Sequence, residues 1–509
     1  MSIELTKTDI GTAEVLYDNF AEQGIDCDIS LPDYCPDIMR ILRCSVTNSI
    51  TNSKISGDRA TVDGNAKIRI VYADDKNGIY CYEQDYPFSK FSELPQTYDG
   101  AVLCSSAKTE YANCRAVSKK RIDIHGVVSI RFKIVGIKNE SVITDAEGDG
   151  IQLRKKKIGT DSVAAVVMKK FQLSQTEEAD GGEIGKIFYA CASPVLSETK
   201  IIKGKILLKG EAVLKVMYCS ATDENESVCV NYNLPFSEII DIESIDDSCK
   251  VSVGFNVDQV QAEPKTDNDG EYKYLNLGCD ICAVVTAYKT EDICVITDSY
   301  STQKEIDAKY KTETFTQILQ NLNDSIICRE SVDLSSMNPQ RIYAAIAQSP
   351  EAKSRFDADK MTVTGKIPLK FILIDGEGTP TFCEREAEFE YSRSIDAKGG
   401  NLHCDPKLFL TGYSCTLTSD GRAEFKAEMN ISADITETSE CRTLVSLKTV
   451  ENSELKKRHS SLVICFCNGG EKIWDIARKY NTTVKDIMSE NELTSDEIGE
   501  KMMLMIPVK

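Results

Sequence analysis

The chain has 509 residues, too many for one hydrophobic core, so several domains are expected. Apolar residues make up 41% and charged residues 28%, the balance of folded globular protein rather than of a disordered chain. A formal net charge of -20 excludes a general phosphate-binding surface, because nucleic-acid affinity is built on clustered Lys and Arg; no nucleic-acid partner is expected.

Met1 to Glu14 is polar and mixed, and nowhere do about 18 apolar residues run together, which predicts neither a leader nor a transmembrane segment and a protein kept in a cytosol. In a reducing compartment its 20 cysteines act mostly as free, small apolar groups. The tightest pairs are Cys279-Asp-Ile-Cys282 and Cys465-Phe-Cys467. The first has zinc-like or redox-like spacing, but it lies within an apparent strand, without a second such motif and with only 3 His in the chain. Buried strand thiols are the simpler reading, and no metal or cofactor is expected.

In chain order, internal repetition comes first. Ile55 to Lys90 and Ile202 to Ile239 each give a strand, a glycine (Gly64 or Gly210), an alternating strand ending in Tyr72 or Tyr218, a polar turn, and a strand closing on Pro-Phe-Ser. A weaker copy begins at Met361, with Gly365 in the corresponding place but without Pro-Phe-Ser. Asp37-Ile-Met-Arg-Ile-Leu, Glu183-Ile-Gly-Lys-Ile-Phe and Pro339-Gln-Arg-Ile-Tyr-Ala precede the three copies. The spacing of about 150 residues suits tandem domains rather than a solenoid. Ala66, Ile68, Ile70 and Tyr72 alternate with Lys67 and Arg69, and Arg121–Val135, Tyr274–Tyr288 and Arg422–Ile435 read as strands closing each unit. Hairpin turns such as Asp75-Lys-Asn-Gly78 favour antiparallel sheets. The fold class is therefore mainly β: three tandem related antiparallel β domains at 1–150, 151–305 and 306–440. Residues 441–461, polar and charge-dense, read as a linker in which Lys456-Lys-Arg458 are solvated charges.

The last segment, 462–509, has a different grammar. Leu462–Cys467 is a short apolar strand and Asn468-Gly-Gly470 a turn. Ile473, Ile476, Ala477 and Tyr480 recur at helical spacing; Asn481 or Thr482 ends that helix, and Thr483 caps a second with Val484, Ile487 and Met488 inward. The second helix ends near Asn491, and Met502–Val508 supplies a returning strand, giving a small βααβ domain.

That order, with Gly470-Glu-Lys-Ile-Trp-Asp-Ile-Ala-Arg-Lys-Tyr480, Asn481-Thr-Thr-Val484, Asn491-Glu-Leu493 and the closing Ile506-Pro507, resembles the LysM family. The resemblance implies a recognition module without chemistry of its own, which binds N-acetylglucosamine polymers through the loop after the first strand and the loop after the second helix. Carried onto this sequence, the contact residues are Gly470, Glu471, Lys472 and Ile473 with Asn491 and Leu493 opposite. Glu471-Lys472 replaces the family's Asp-Thr, putting a long cation where a sugar would rest, which fits a protein ligand better. Trp474 is either a recognition anchor or a core residue.

Upstream, Leu31-Pro-Asp-Tyr-Cys-Pro-Asp-Ile-Met-Arg-Ile-Leu42 and the Pro-Phe-Ser repeats resemble the SPOCS domain of spore-coat proteins from endospore-forming bacteria. Its pairing with one C-terminal LysM domain is similar to clostridial spore-coat morphogenetic proteins. The resemblance implies a non-enzymatic scaffold in the mother-cell cytoplasm, at the forespore surface, that drives coat encasement. Its LysM module would bind the ATPase of the coat basement layer, while the repeats self-associate or recruit other coat proteins. The alternative is a peptidoglycan or N-acetylglucosamine-binding protein of the cortex or wall. An enzyme is not expected: Gly-x-Ser-x-Gly, P-loop and His-Glu-x-x-His motifs are missing, and His125, His403 and His459 sit in unrelated contexts.

Overall fold

The computed structural model describes residues 3–180, 182–221, 227–357, 360–395, 401–450 and 461–507. The first repeat comprises β1 (Glu4–Ser30), β2 (Arg40–Ser56), β3 (Arg59–Ala73), β4 (Ile79–Glu93), β5 (Val102–Ser118) and β6 (Arg121–Glu147). The second comprises β7 (Ile151–Glu178), β8 (Ile184–Ile202), β9 (Lys205–Ser220), β10 (Ser227–Asp241), β11 (Lys250–Lys265) and β12 (Tyr274–Ser301). The third comprises β13 (Ile306–Asp333), β14 (Pro339–Ala347), β15 (Glu351–Asp357), β16 (Lys360–Asp375), β17 (Pro380–Ser394), β18 (Asn401–Cys404), β19 (Lys407–Leu417) and β20 (Arg422–Thr449).

One topology recurs three times. In the first repeat the sheets are β1-β6-β5 and β2-β3-β4, in the second β7-β12-β11 and β8-β9-β10, and all pairings are antiparallel. The third repeat keeps the plan with two strands broken: β14 and β15 together flank β16 where β2 flanks β3, and β18 and β19 together flank β20 where β5 flanks β6. The two sheets of each repeat enclose their own core, which in the first repeat holds Ile68, Ile70, Tyr72, Phe88, Ile124 and Phe132.

The alternation in β3 follows this geometry. Ala66, Ile68 and Ile70 are wholly buried on the inner face, while Lys67 and Arg69 on the outer face pair with Glu83. At Val71 and Ala73 both faces turn apolar, because there the inner sheets of the three repeats meet. Val71 and Ala73 pack with Phe188 and Met217 of the second repeat and Tyr343, Ile372 and Ile374 of the third.

The repeated glycine has a steric cause. Gly64, Gly210 and Gly365 lie directly opposite Phe88, Phe236 and Phe389 in the ladders. A Cβ on any of them would collide with that ring and with the carbonyl of Ser49, Val195 or Glu351 on the other neighbouring strand. The third copy has lost Pro-Phe-Ser as a string but keeps the phenylalanine as Phe389, the part that the glycine accommodates.

The closing strands run well past the predicted ends at Val135, Tyr288 and Ile435, to Glu147, Ser301 and Thr449. Each pairs along its length with the first strand of its repeat. An extra residue bulges from that first strand at the same place each time, at Leu16, Ala164 and Leu319, and separates the half that covers the repeat's own core from the half that reaches its neighbours. The far halves meet in clusters drawn from all three repeats, including Ile10, Val142, Val295, Phe315 and Cys441, then Ile143, Ile296, Leu444 and Leu447.

This corrects the linker expected at 441–461. Cys441 to Thr449 is strand, paired with Glu313 to Ile306, because Leu444 and Leu447 are needed in the shared cluster. Residues 451–460, with Lys456-Lys-Arg458, lie outside the described residues, as does the polar turn at 222–226.

Candidate functional site

The C-terminal module contains β21 (Leu462–Cys467), α1 (Ile473–Tyr480), α2 (Val484–Glu490) and β22 (Met502–Pro507). The strands pair antiparallel from Leu462 opposite Pro507 to Cys467 opposite Met502. Asn481, with φ 54°, ends α1 in the left-handed conformation, and the Thr483 hydroxyl caps α2 by accepting from the Asp486 N–H at 3.0 Å. Both helices pack on one face of the strand pair, and Cys467, Ile473, Ile476, Ala477, Ile487, Leu504 and Ile506 form the core.

The sequence-derived contact residues divide. Gly470, Glu471 and Lys472 are exposed. Ile473 is wholly buried, so its side chain is a core group and cannot reach a ligand. The Asn491 side chain completes the edge of β22: it donates to the Met505 carbonyl and accepts from the Met505 N–H, both at 2.7 Å, and donates to the Ile487 carbonyl. Leu493 is half-buried against the core. The first loop is tied to residues just beyond Leu493: Gly470 N–H donates to the Ile498 carbonyl at 2.7 Å, Ile498 N–H to the Glu471 carbonyl at 3.0 Å, and Ile473 N–H to the Asp496 carbonyl at 2.9 Å.

Gly470 has φ 87°, and a Cβ there would meet no neighbour, so only backbone strain opposes a side chain. Gly470→Val is expected to lower the module's stability by about 1–3 kcal/mol. A thermal melt followed through Trp474 measures it, and an unchanged midpoint would rule the strain out.

Trp474 is half-buried against the module's core and also reaches beyond the module. Its indole Nε1 donates to Asp298 Oδ2 at 2.8 Å, and its ring meets Tyr300 edge-on, with centroids 4.9 Å apart. Arg478 Nη1, one turn on, donates to the same carboxylate at 2.9 Å, and the Tyr300 hydroxyl donates to the Thr482 carbonyl at 2.7 Å. Asp298 and Tyr300 lie near the end of β12, so the tryptophan joins the module to the second repeat.

Among the described residues nothing covers the opposite face of the strand pair. Leu462, Ile464, Phe466, Met503 and Met505 all point outward; Ile464 is 57% and Phe466 74% exposed. Ile464 sits opposite Met505 and Phe466 opposite Met503, which makes the patch continuous. Sequence reading missed this surface, although Leu462–Cys467 carries the signal: six apolar residues in a row on a strand covered by helices on one side only.

The sequence motifs suggestive of metal or catalysis are dispersed. Cys279 and Cys282, three apart on β12, lie on opposite faces and cannot converge on one ion. Burial pushes both thiols up to about 12. Among the described residues no group of three or more His, Cys, Asp or Glu could hold a metal. His125 lies exposed on β6 between Asp26 at 2.8 Å and Asp123 at 3.1 Å, whose hydrogen bonds raise its pKa; His459 lies outside the described residues. No helix of the described residues is long and apolar enough to cross a membrane.

The architecture defines a class: a threefold-repeated antiparallel β body joined to a small βααβ binding module. Residues 37–117 and 183–265 match the family described as SipL, SPOCS domain, and residues 470–507 match the LysM domain. The chain thus carries SPOCS segments followed by a C-terminal LysM domain, both non-catalytic binding-type domains, and is a sporulation-related protein. No curated protein and no solved structure matches it. The third repeat lies outside the matched segments while keeping their topology.

Proposed function

We propose that the protein is a non-enzymatic morphogenetic scaffold of the spore coat. It works from the mother-cell cytoplasm at the forespore surface, where its LysM module docks on the basement-layer coat ATPase and its repeats recruit further coat proteins. The pairing of SPOCS segments with a LysM domain supports the setting. The observation that carries the docking role is the bare strand face. Phe and Met at its centre are residues enriched in protein interfaces. Each large apolar side chain moved from water into an interface is worth about 1.5–3 kcal/mol. A sugar ring needs polar donors and acceptors, which this face does not offer.

The test is a two-component binding assay with the purified ATPase. Phe466→Glu and Ile464→Glu are each expected to weaken binding by more than about tenfold while the module stays folded, since central apolar anchors dominate such interfaces. Unchanged binding in both would sink the docking role. The LysM match itself supports a second reading, binding of N-acetylglucosamine polymers through the exposed Gly470–Lys472 loop. Retention on peptidoglycan or chitin that is lost on Lys472→Glu, without ATPase binding, would replace the scaffold by that reading.

A further inference from the structure

The contact between the module and the second repeat is built like a specific seat. Asp298 is 9% exposed, and its carboxylate takes hydrogen bonds from Trp474 and Arg478 of α1 while also accepting the Ser299 N–H at 3.0 Å. Tyr300, 5% exposed, is counted within the module's own core cluster beside Ile473 and Ile476. Thr482, which receives the Tyr300 hydroxyl through its carbonyl, is buried as well. A desolvated carboxylate with two donors from the module and a phenol with a fixed acceptor make a directional contact rather than a greasy one.

The other repeats do not offer the same seat. Val142-Ile-Thr-Asp145-Ala-Glu147 aligns with Val295-Ile-Thr-Asp298-Ser-Tyr300. In the first repeat Asp145 is instead paired with Lys155 at 2.8 Å, and Glu147 stands at the aromatic position. In the third, the shared cluster aligns Leu444 with Ile143 and Ile296, which puts Ser446 and Lys448 at the two positions. At these two aligned positions a carboxylate and an aromatic ring therefore occur together on the second repeat alone among the three.

We propose that Asp298 and Tyr300 form an intramolecular docking seat for the LysM module of the same chain, which turns its bare strand face outward at a fixed orientation to the repeats. The seat grips α1, and the face lies on the other side of the strand pair, so seat and face are filled independently. The presentation of the face to a partner rests on the docking role proposed above; the seat does not.

Trp474 is the chain's only tryptophan, so its emission reports the seat directly. In the full chain, Asp298→Asn, Tyr300→Ala and, from the module side, Arg478→Ala are expected to shift the emission to longer wavelength and increase quenching by acrylamide. The radius of gyration from solution scattering should rise, with the circular dichroism of the β body unchanged. Tyr300→Phe, which keeps the ring and loses the bond to Thr482, should fall between. Emission, quenching and scattering unchanged in Asp298→Asn and Arg478→Ala would overturn the seat, and neither change threatens the fold of a strand. Absence of ATPase binding in the unmodified chain would sink the docking role and leave this result standing.

Discussion

Truncating Phe236 to alanine is expected to cost the second repeat about 3–5 kcal/mol, because it removes a large buried ring and leaves a cavity that the surrounding sheet cannot close. Phe236 is buried in the core of that repeat, tilted against Phe171 at 5.3 Å and edge-on to Phe255 at 5.7 Å. Gly210→Ala should do comparable damage from the opposite side: about 1–3 kcal/mol or more, since the added Cβ collides with the Phe236 ring and with the Val195 carbonyl. The two changes cannot add. Once the ring is gone one of the two collisions is relieved, so the double variant should be less damaged than the sum, and urea unfolding of the four chains measures that difference. A harmless Gly210→Ala would show that the strands can part at this point and that the repeated glycine has another cause.

Asp161→Ala is expected to lower stability by about 2–3 kcal/mol and to weaken the coupling of the second repeat to the third. The Asp161 side chain, 3% exposed on β7, accepts from the Thr290 hydroxyl at 2.6 Å, from Lys250 Nζ at 3.3 Å and, across the repeat boundary, from the Ile318 N–H at 2.6 Å. Ile318 stands just before the bulge at Leu319, where the ladder of β13 is interrupted. Alanine leaves that N–H without this acceptor. Lys250 is partly exposed and keeps the Ile318 carbonyl at 2.6 Å, so the ammonium contributes less than a buried ion pair would. Asp161→Asn can still accept one hydrogen bond and should lose less. Calorimetry is expected to show the transition of the alanine variant broadening or splitting as the repeats unfold separately; a single unshifted transition would contradict this role.

Much of the body is legible in the sequence because each strand buries one face, which leaves a period of two in residues such as Ala66, Ile68 and Ile70. The strand ends were less legible. Before Leu16, Ala164 and Leu319 on the first strands, and past the matching points on the closing strands, the bulges shift the alternation, and the apolar residues there meet other repeats rather than their own core. That is why residues 441–449 looked like a linker. Polar neighbours such as Arg442 and Lys448 surround Leu444 and Leu447, whose partners lie on strands far away in the chain.

The module shows the same division at closer range. Ile473, Ile476, Ala477 and Tyr480 announced a helix, and Thr483 its successor's cap, because helix periodicity and capping are written within a few residues. The family position of a residue does not say which way its side chain turns, so the surroundings of Ile473 and Asn491 were not legible in the sequence. Ile473 turned into the core, and Asn491 turned to the edge of β22. Trp474 could not be assigned at all, since its partners Asp298 and Tyr300 are more than 170 residues away.

By itself the sequence determined what depends on neighbours along the chain: the strands and their threefold repetition with its recurring glycine, the two helices and the βααβ order of the last segment. Only the tertiary structure decided which surfaces remain open. The strand face of Ile464 and Phe466 is bare because the helices cover the other side and the seat holds the module through α1. Such choices arise from pairings between distant residues, which leave no periodic trace in the segments that make them.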